Sequence, residues 1–170
     1  MTEEGDMHAV FTPIPSLPIE VFFPDTFDWE ASEVLHELSK NRPWKIFLDI
    51  QATPSTAFTS YKTNQRDMYE EARLRRLPKG STMSSAVEVV MYNPEDEITE
   101  GSLTSVFFYR NGRWVTPPTA SGCQRGTTRR WALEKGLCKE ETVKRDSLAN
   151  GEKVIISNGA RGFSLGTLVI

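Results

Sequence analysis

Val106-Phe107-Phe108-Tyr109-Arg110-Asn111-Gly112-Arg113-Trp114-Val115 reads as two apolar runs hinged on Asn-Gly. Asn and Gly accept the positive φ angles that let a two-residue turn match the twist of its flanking strands, so this stretch predicts a hairpin. Thr116-Pro117-Pro118 ends the ladder, because proline has no N–H to donate. Working outward, strands are predicted at 44–49, 87–92, 154–156 and 167–170, with a turn over 93–97 and an irregular stretch over 77–85. Asp28 can cap a helix running to about Lys40 with Val34, Leu35 and Leu38 on one face, and Pro43 closes it. Thr63 or Asn64 can cap a second helix through Arg76, with Met68 and Ala72 inward and the glutamates and arginines outward. Thr127 or Thr128 can cap a third, through Trp131 and Leu133 to Gly136 as its terminating glycine. Residues 12–18, rich in proline, read as an extended connector. There is no internal repeat. Strands joined by tight turns, with three intervening helices, imply a mixed α/β (α+β) layer and not a doubly wound parallel sheet.

The chain has 170 residues, 38% apolar and 25% charged, which suits one ordinary soluble domain with a real core. Its 20 Lys+Arg against 23 Asp+Glu give a net charge of −3, which argues against a dedicated nucleic-acid binder. The basic clusters 73–79 and 125–130 read as solvated faces. Cys123 and Cys138 are not at metal or redox-motif spacing and read as ordinary thiols of a reducing compartment. His8 and His36 have no partner at metal spacing, so no metal site is expected. No apolar run has the length of a membrane span. Thr2-Glu3-Glu4-Gly5-Asp6 is acidic, the reverse of a targeting peptide, which makes the cytosol the expected address.

Three stretches carry usable chemistry: Ser60-Tyr61-Lys62-Thr63-Asn64-Gln65-Arg66, Ile98-Thr99-Glu100-Gly101-Ser102, and Arg125-Gly126-Thr127-Thr128-Arg129. A lysine can form a Schiff base, and to attack a carbonyl it must be partly buried and lose its proton. A buried carboxylate can keep a pyridine nitrogen protonated. A Gly-Thr-Thr turn opening a helix offers free N–H groups, a favourable dipole and two hydroxyls to a phosphate. Ser157-Asn158-Gly159 is a second candidate phosphate cradle. These are the three handles of pyridoxal 5'-phosphate. Taken singly, each has a commoner structural explanation: a surface lysine, a turn glutamate, a capping threonine.

Jointly they have an order. Lys62-Thr63-x-x-Arg66, Ile98 to Ser102, Gly112-x-x-Val115-Thr116-Pro117-Pro118, Gly126-Thr127-Thr128-Arg129 and Ile156-Ser157-Asn158-Gly159 with Arg161-Gly162 resemble the class IV aminotransferases, the fold type IV pyridoxal phosphate enzymes. Within that family the chain looks most like the aminodeoxychorismate lyases, particularly the fungal type, over about residues 11–170. The resemblance implies the large C-terminal domain of the D-amino acid aminotransferase-like fold, a mixed sheet or barrel with flanking helices, over 44–170. Residues 1–43 would be a connector and short helix left from the small domain. It implies Lys62 as the residue that carries the cofactor and shuttles the proton, and Glu100 against the pyridine nitrogen. Gly126, Thr127 and Thr128 would hold the phosphate, Asn158 or Gly159 would line its other side, and Arg66 would support the lysine segment. It implies a cytoplasmic homodimer that turns 4-amino-4-deoxychorismate into 4-aminobenzoate and pyruvate in folate biosynthesis. The alternatives are transamination of a D- or branched-chain amino acid, or a shortened relative without catalysis.

The departures are specific. Nothing matches the family's N-terminal small domain, which supplies a phosphate-binding arginine and a wall of the substrate pocket. Arg42 is the only early arginine and its setting differs. Thr104-Ser105 stands where relatives often have Ser-Asn, and 77–85 is longer than the usual connection.

Overall fold

The computed structural model describes residues 16–28, 32–41, 43–82 and 85–170. His8, Arg42, the side chain of Val34 and residues 12–15 of the expected connector lie outside the described residues. One eight-stranded sheet runs β1 (Trp44–Leu48), β2 (Val87–Tyr92), β3 (Ile98–Gly101), β4 (Ser105–Arg110), β5 (Arg113–Thr116), β6 (Lys139–Glu140), β7 (Lys153–Asn158) and β8 (Gly162–Val169) along the chain. In space the order is β3-β2-β1-β8-β7-β4-β5-β6. The sheet is mixed. β1 lies parallel to both β2 and β8, and the pairs β2–β3, β7–β8, β4–β7 and β4–β5 are antiparallel.

The opening hairpin forms as read, with Asn111 at φ 52° and Gly112 at φ 79°, the left-handed pair that a tight β turn requires. Successive residues of the central strands are buried on opposite faces. Val106, Phe108, Val154 and Ile156 join one cluster, while Phe107 and Ile155 join a second with Phe27, Leu35, Ala132 and Phe163. Burial on both faces explains why these strands read as unbroken apolar runs. The first cluster unites Ile98 of one sheet edge with Val115 and Val143 near the other. Backbone bonds from Ile98 N–H to the Val143 carbonyl (2.8 Å) and from Arg145 N–H to the Asp96 carbonyl (2.8 Å) draw the two edges together, so the sheet curls toward a barrel.

The described α-helices are α1 (Glu33–Asn41), α2 (Ala57–Ser60), α3 (Asp67–Arg76) and α4 (Thr127–Glu134). The helix expected from Asp28 begins at Glu33. The one expected from Thr63 or Asn64 begins at Asp67, because the Thr63 hydroxyl accepts the Gln65 N–H (3.2 Å) in a local turn instead of capping. Its inward face carries Tyr69, Ala72 and Arg73. Arg73, expected outward, is buried because Ser102 and Glu88 receive it. The basic clusters are therefore not uniformly solvated faces: Arg75 pairs with Asp49 at 2.8 Å, Arg76 donates to the Leu48 carbonyl at 2.7 Å, and Arg129 is buried. At α4 the capping position belongs to Gly126, with Thr127 already the first helical residue, and Gly136 at φ +71° ends the run.

Cys123 and Cys138 are free and buried, and burial pushes their thiols up to about 11 and about 12. No described helix is long and apolar enough to cross a membrane. Among the described residues, no group of three or more His, Cys, Asp or Glu is placed to hold a metal ion.

Candidate active site

β3 carries Glu100 into the interior, where it is 6% exposed. The Tyr69 hydroxyl donates to its Oε1 (2.6 Å), and the Gln124 backbone N–H donates to its Oε2 (3.1 Å). The Gln124 side-chain amide donates in turn to the Tyr69 oxygen (3.1 Å), closing a small ring of polar groups. Burial pushes the Glu100 carboxyl up to about 7, against the pull of its two donors and of Arg66. Burial first, then the Glu100 charge, pushes the Tyr69 phenol well above its ordinary range. Glu100 is thus a carboxyl poised near neutrality, the setting in which such a group can hold or release a proton.

Lys62 lies on the loop between α2 and α3 and is exposed, not partly buried as the chemistry of an attacking amine led us to expect. α2 is a single turn ended by Tyr61 in extended conformation, which leads the chain outward, and Tyr61 itself is 71% exposed. The segment is nevertheless tied to the site. Arg66, four residues on, donates to the Ser102 carbonyl (2.9 Å) and stacks 4.8 Å over the Tyr69 ring.

The third stretch reaches Glu100 through Gln124, two residues before Gly126. Gly126 opens α4 with no side-chain cap, so the first-turn N–H groups point at no acceptor of the helix's own. A Cβ on Gly126 would stand 2.7 Å from the Ser105 hydroxyl, so a larger residue would close the approach to that turn. Thr127 is exposed, whereas Thr128 is buried with its hydroxyl 2.8 Å from that of Ser157. Asn158 donates to the Leu103 carbonyl (3.1 Å), and its Oδ1 accepts the N–H groups of Ala160 (3.0 Å) and Arg161 (2.9 Å). That side chain therefore builds the β7–β8 turn, while Gly159 stands open.

The three stretches singled out in the sequence thus converge, through the Arg66–Ser102, Tyr69–Glu100 and Gln124–Glu100 hydrogen bonds. A buried carboxyl, an uncapped helix start and a nearby lysine loop are a donor set that fits pyridoxal phosphate. Tyr69 and Gln124, the partners of Glu100, were not legible from the sequence. A tyrosine on the side of α3 that also carries Arg73 looks solvent-facing, and a backbone N–H has no sequence signature.

The family model for class IV amino-transferases matches residues 22–165. Aminodeoxychorismate lyase of Saccharomyces cerevisiae is 35% identical over a 187-residue alignment that takes in 99% of this chain and 50% of that protein. A Schizosaccharomyces pombe protein provisionally named aminodeoxychorismate lyase is 34% identical over 133 residues, 75% of this chain and 56% of that one. The chain therefore spans about half the length of these curated relatives. Among solved structures, a Mesorhizobium loti protein provisionally named an amino-acid aminotransferase superposes with a TM-score of 0.65 at 27% identity, covering 76% of this chain and 61% of that one.

Proposed function

Because this chain belongs to the class IV amino-transferase family, we propose that it forms the cofactor-binding part of a pyridoxal phosphate-dependent lyase that converts 4-amino-4-deoxychorismate to 4-aminobenzoate and pyruvate. The observation that carries this reading is the buried Glu100, held by Tyr69 and by the amide two residues before the uncapped Gly126 turn. The yeast relatives at 34–35% identity favour the lyase over a transaminase.

Lys62 would hold the cofactor through Nζ, Glu100 would face its ring nitrogen, and the first-turn amides of α4 with the Thr127 hydroxyl would take its phosphate. When bound, the group supplies an electron sink for the substrate carbon that bears the amine. Lys62 Nζ would take the proton from that carbon and return it to the departing three-carbon unit, which leaves as pyruvate while the ring becomes aromatic. Glu100, with its carboxyl near neutrality, would hold a proton at the nitrogen it faces. Thr128 would act indirectly, fixing α4 to β7 through Ser157. A cytosolic homodimer is part of the same proposal, and sedimentation of the purified chain tests the dimer.

A second reading is favoured by one observation, the exposure of Lys62: a relative that binds cofactor without turnover. Turnover assayed with added pyridoxal phosphate, followed by borohydride reduction of the same preparation, separates the readings. The lyase requires one labelled lysine, Lys62, lost in Lys62→Ala, together with pyruvate and 4-aminobenzoate in equal amounts. A label without product supports the second reading, and label spread over several lysines overturns both.

A further inference from the structure

Among the described residues, every arginine side chain has a hydrogen-bond, ion-pair or ring partner except two, Arg125 and Arg130, and both line the same depression. The cavity has a volume of about 620 Å³ and lies against the outer side of α4. Lys139 of β6 lines it as a third cation without a partner. Its one acidic residue, Glu140, is already engaged with Arg129 at 2.5 Å. Arg129 lies beneath, its side chain 3% exposed, with Nη2 donating to the Pro117 carbonyl (2.7 Å) and Nε buried without an acceptor.

We propose that this depression is a binding site for a small molecule carrying a phosphate or a pair of carboxylates. Unpaired arginines offer planar forks of N–H donors that match the oxygens of both groups. A concave wall bearing three uncompensated cations concentrates positive potential, and does so on a chain whose net charge is −3. That overall charge disfavours a long polyanion, which would meet repulsion wherever it left the depression. Leu133 and Cys138 add an apolar wall for the body of an organic ligand.

The site is distinct from the Gly126 turn. Neither Thr127 nor Thr128 lines it, and Thr128 faces the opposite way, toward Ser157 of β7. It does not depend on the function proposed above. Arg125 directly precedes Gly126, so a ligand here would adjoin that turn without sharing its donors.

The test is isothermal titration of the full chain with inorganic phosphate and, separately, with malonate, at an ionic strength held constant with potassium chloride. Binding of either at a site other than the Gly126 turn is expected, weakened there at least about tenfold in Arg125→Gln/Arg130→Gln, the scale of losing charge-assisted hydrogen bonds. Lys135→Gln, an exposed cation outside the depression, should leave it unchanged. Binding should also persist in protein whose pyridoxal phosphate has been fixed by borohydride and the excess removed, which separates this site from the cofactor's. Absence of binding by both anions, full retention in the double variant, loss on fixing the cofactor, or tighter binding of an RNA oligomer at the same arginines would each overturn the proposal. Should the double variant fail to fold by circular dichroism, phenylglyoxal labelling of the unaltered chain decides. Phosphate must protect Arg125 and Arg130, and equal labelling with and without phosphate counts against the site.

Discussion

Glu88 and Glu100 stand on neighbouring strands of the same sheet, and both are buried, at 1% and 6% exposure. Their surroundings differ sharply. Glu88 Oε1 accepts from the Ser102 hydroxyl (2.5 Å) and the Val89 N–H (2.8 Å), and Oε2 from the Thr104 hydroxyl (2.9 Å) and the Leu103 N–H (3.3 Å), with the Arg73 guanidinium 3.7 Å away. Among the described residues, Glu100 has two neutral donors and no cation in direct contact. A buried charge is tolerable when donors and an opposite charge surround it, and costly otherwise. The saturated carboxylate is a structural fixture that welds α3 to the β3–β4 turn. The under-served one is available to a group that brings its own positive charge, as a protonated ring nitrogen does.

The largest effect should come from breaking the fixture. Glu88→Ala leaves Arg73 buried without its charge partner and orphans four donors, and should cost about 3–5 kcal/mol of unfolding free energy. For a chain of this size that is a fall in Tm on the order of 10 °C. Glu88→Gln, which keeps an acceptor oxygen, should cost clearly less. If thermal unfolding of Glu88→Ala shifts by no more than that of an ordinary surface substitution, the contrast with Glu100 loses its meaning.

How much of this was legible in the sequence follows from where the information lies. The Asn111-Gly112 hairpin, the helix opening at Gly126 and the stop at Gly136 were readable because turn chemistry is local. The mixed character of the sheet followed from strands joined by tight turns. The curl that brings Ile98 beside Val143 was not readable, since it depends on backbone bonds between segments far apart in sequence. Glu88 went unnoticed because a glutamate inside an apolar run shows no partners until Arg73, Ser102 and Thr104 are folded around it. Motif order singles out Lys62, Glu100 and Gly126 as candidates, but the bonds that join their segments, Arg66–Ser102, Tyr69–Glu100 and Gln124–Glu100, exist only in three dimensions. Asn158 or Gly159 is expected beside the phosphate, and the structure adds that the Asn158 side chain also closes the β7–β8 hairpin. A Ser-Asn-Gly string suits both purposes, and only the groups nearby reveal the second.

The next effect in size concerns pH. In the unfolded chain Glu100 ionises near the usual glutamate value of about 4.3. In the folded chain burial pushes it to about 7. Between those values the unfolded state releases the proton while the folded state keeps it. The contribution of Glu100 to stability is therefore present in full at pH 4, is lost as pH rises toward 7, and stays lost above. A shift of that size corresponds to about 4 kcal/mol in full, of which about 3 kcal/mol falls between pH 4.5 and 7.5. Glu100→Gln cannot titrate, so its stability relative to the parent should rise by about that amount between pH 4.5 and 7.5, measured by urea unfolding. A constant difference between the two proteins over this range would show that Glu100 ionises in the ordinary glutamate range and is not poised near neutrality.

The smallest effect sharpens the contrast by moving Glu100 further from Glu88. Tyr69→Phe removes one of the two donors to Glu100 and the acceptor of the Gln124 side-chain amide, while keeping the ring that packs on Val89 and Met91. At pH 8, where the carboxylate is charged, the loss should be about 1–2 kcal/mol, and smaller at pH 5, where the carboxyl is neutral. Because that hydroxyl favours the ionised form, its removal should raise the Glu100 pKa above the parent's value of about 7. The pH window over which stability declines should therefore extend upward. A merely structural tyrosine would lower stability by the same amount at every pH, so unfolding curves of Tyr69→Phe at pH 5 and pH 8 distinguish the two cases. Equal losses would mean that the hydroxyl steadies the fold without tuning the carboxyl. A greater loss at pH 8 would identify Tyr69 as the group that keeps Glu100 ionisable until a cation takes its place.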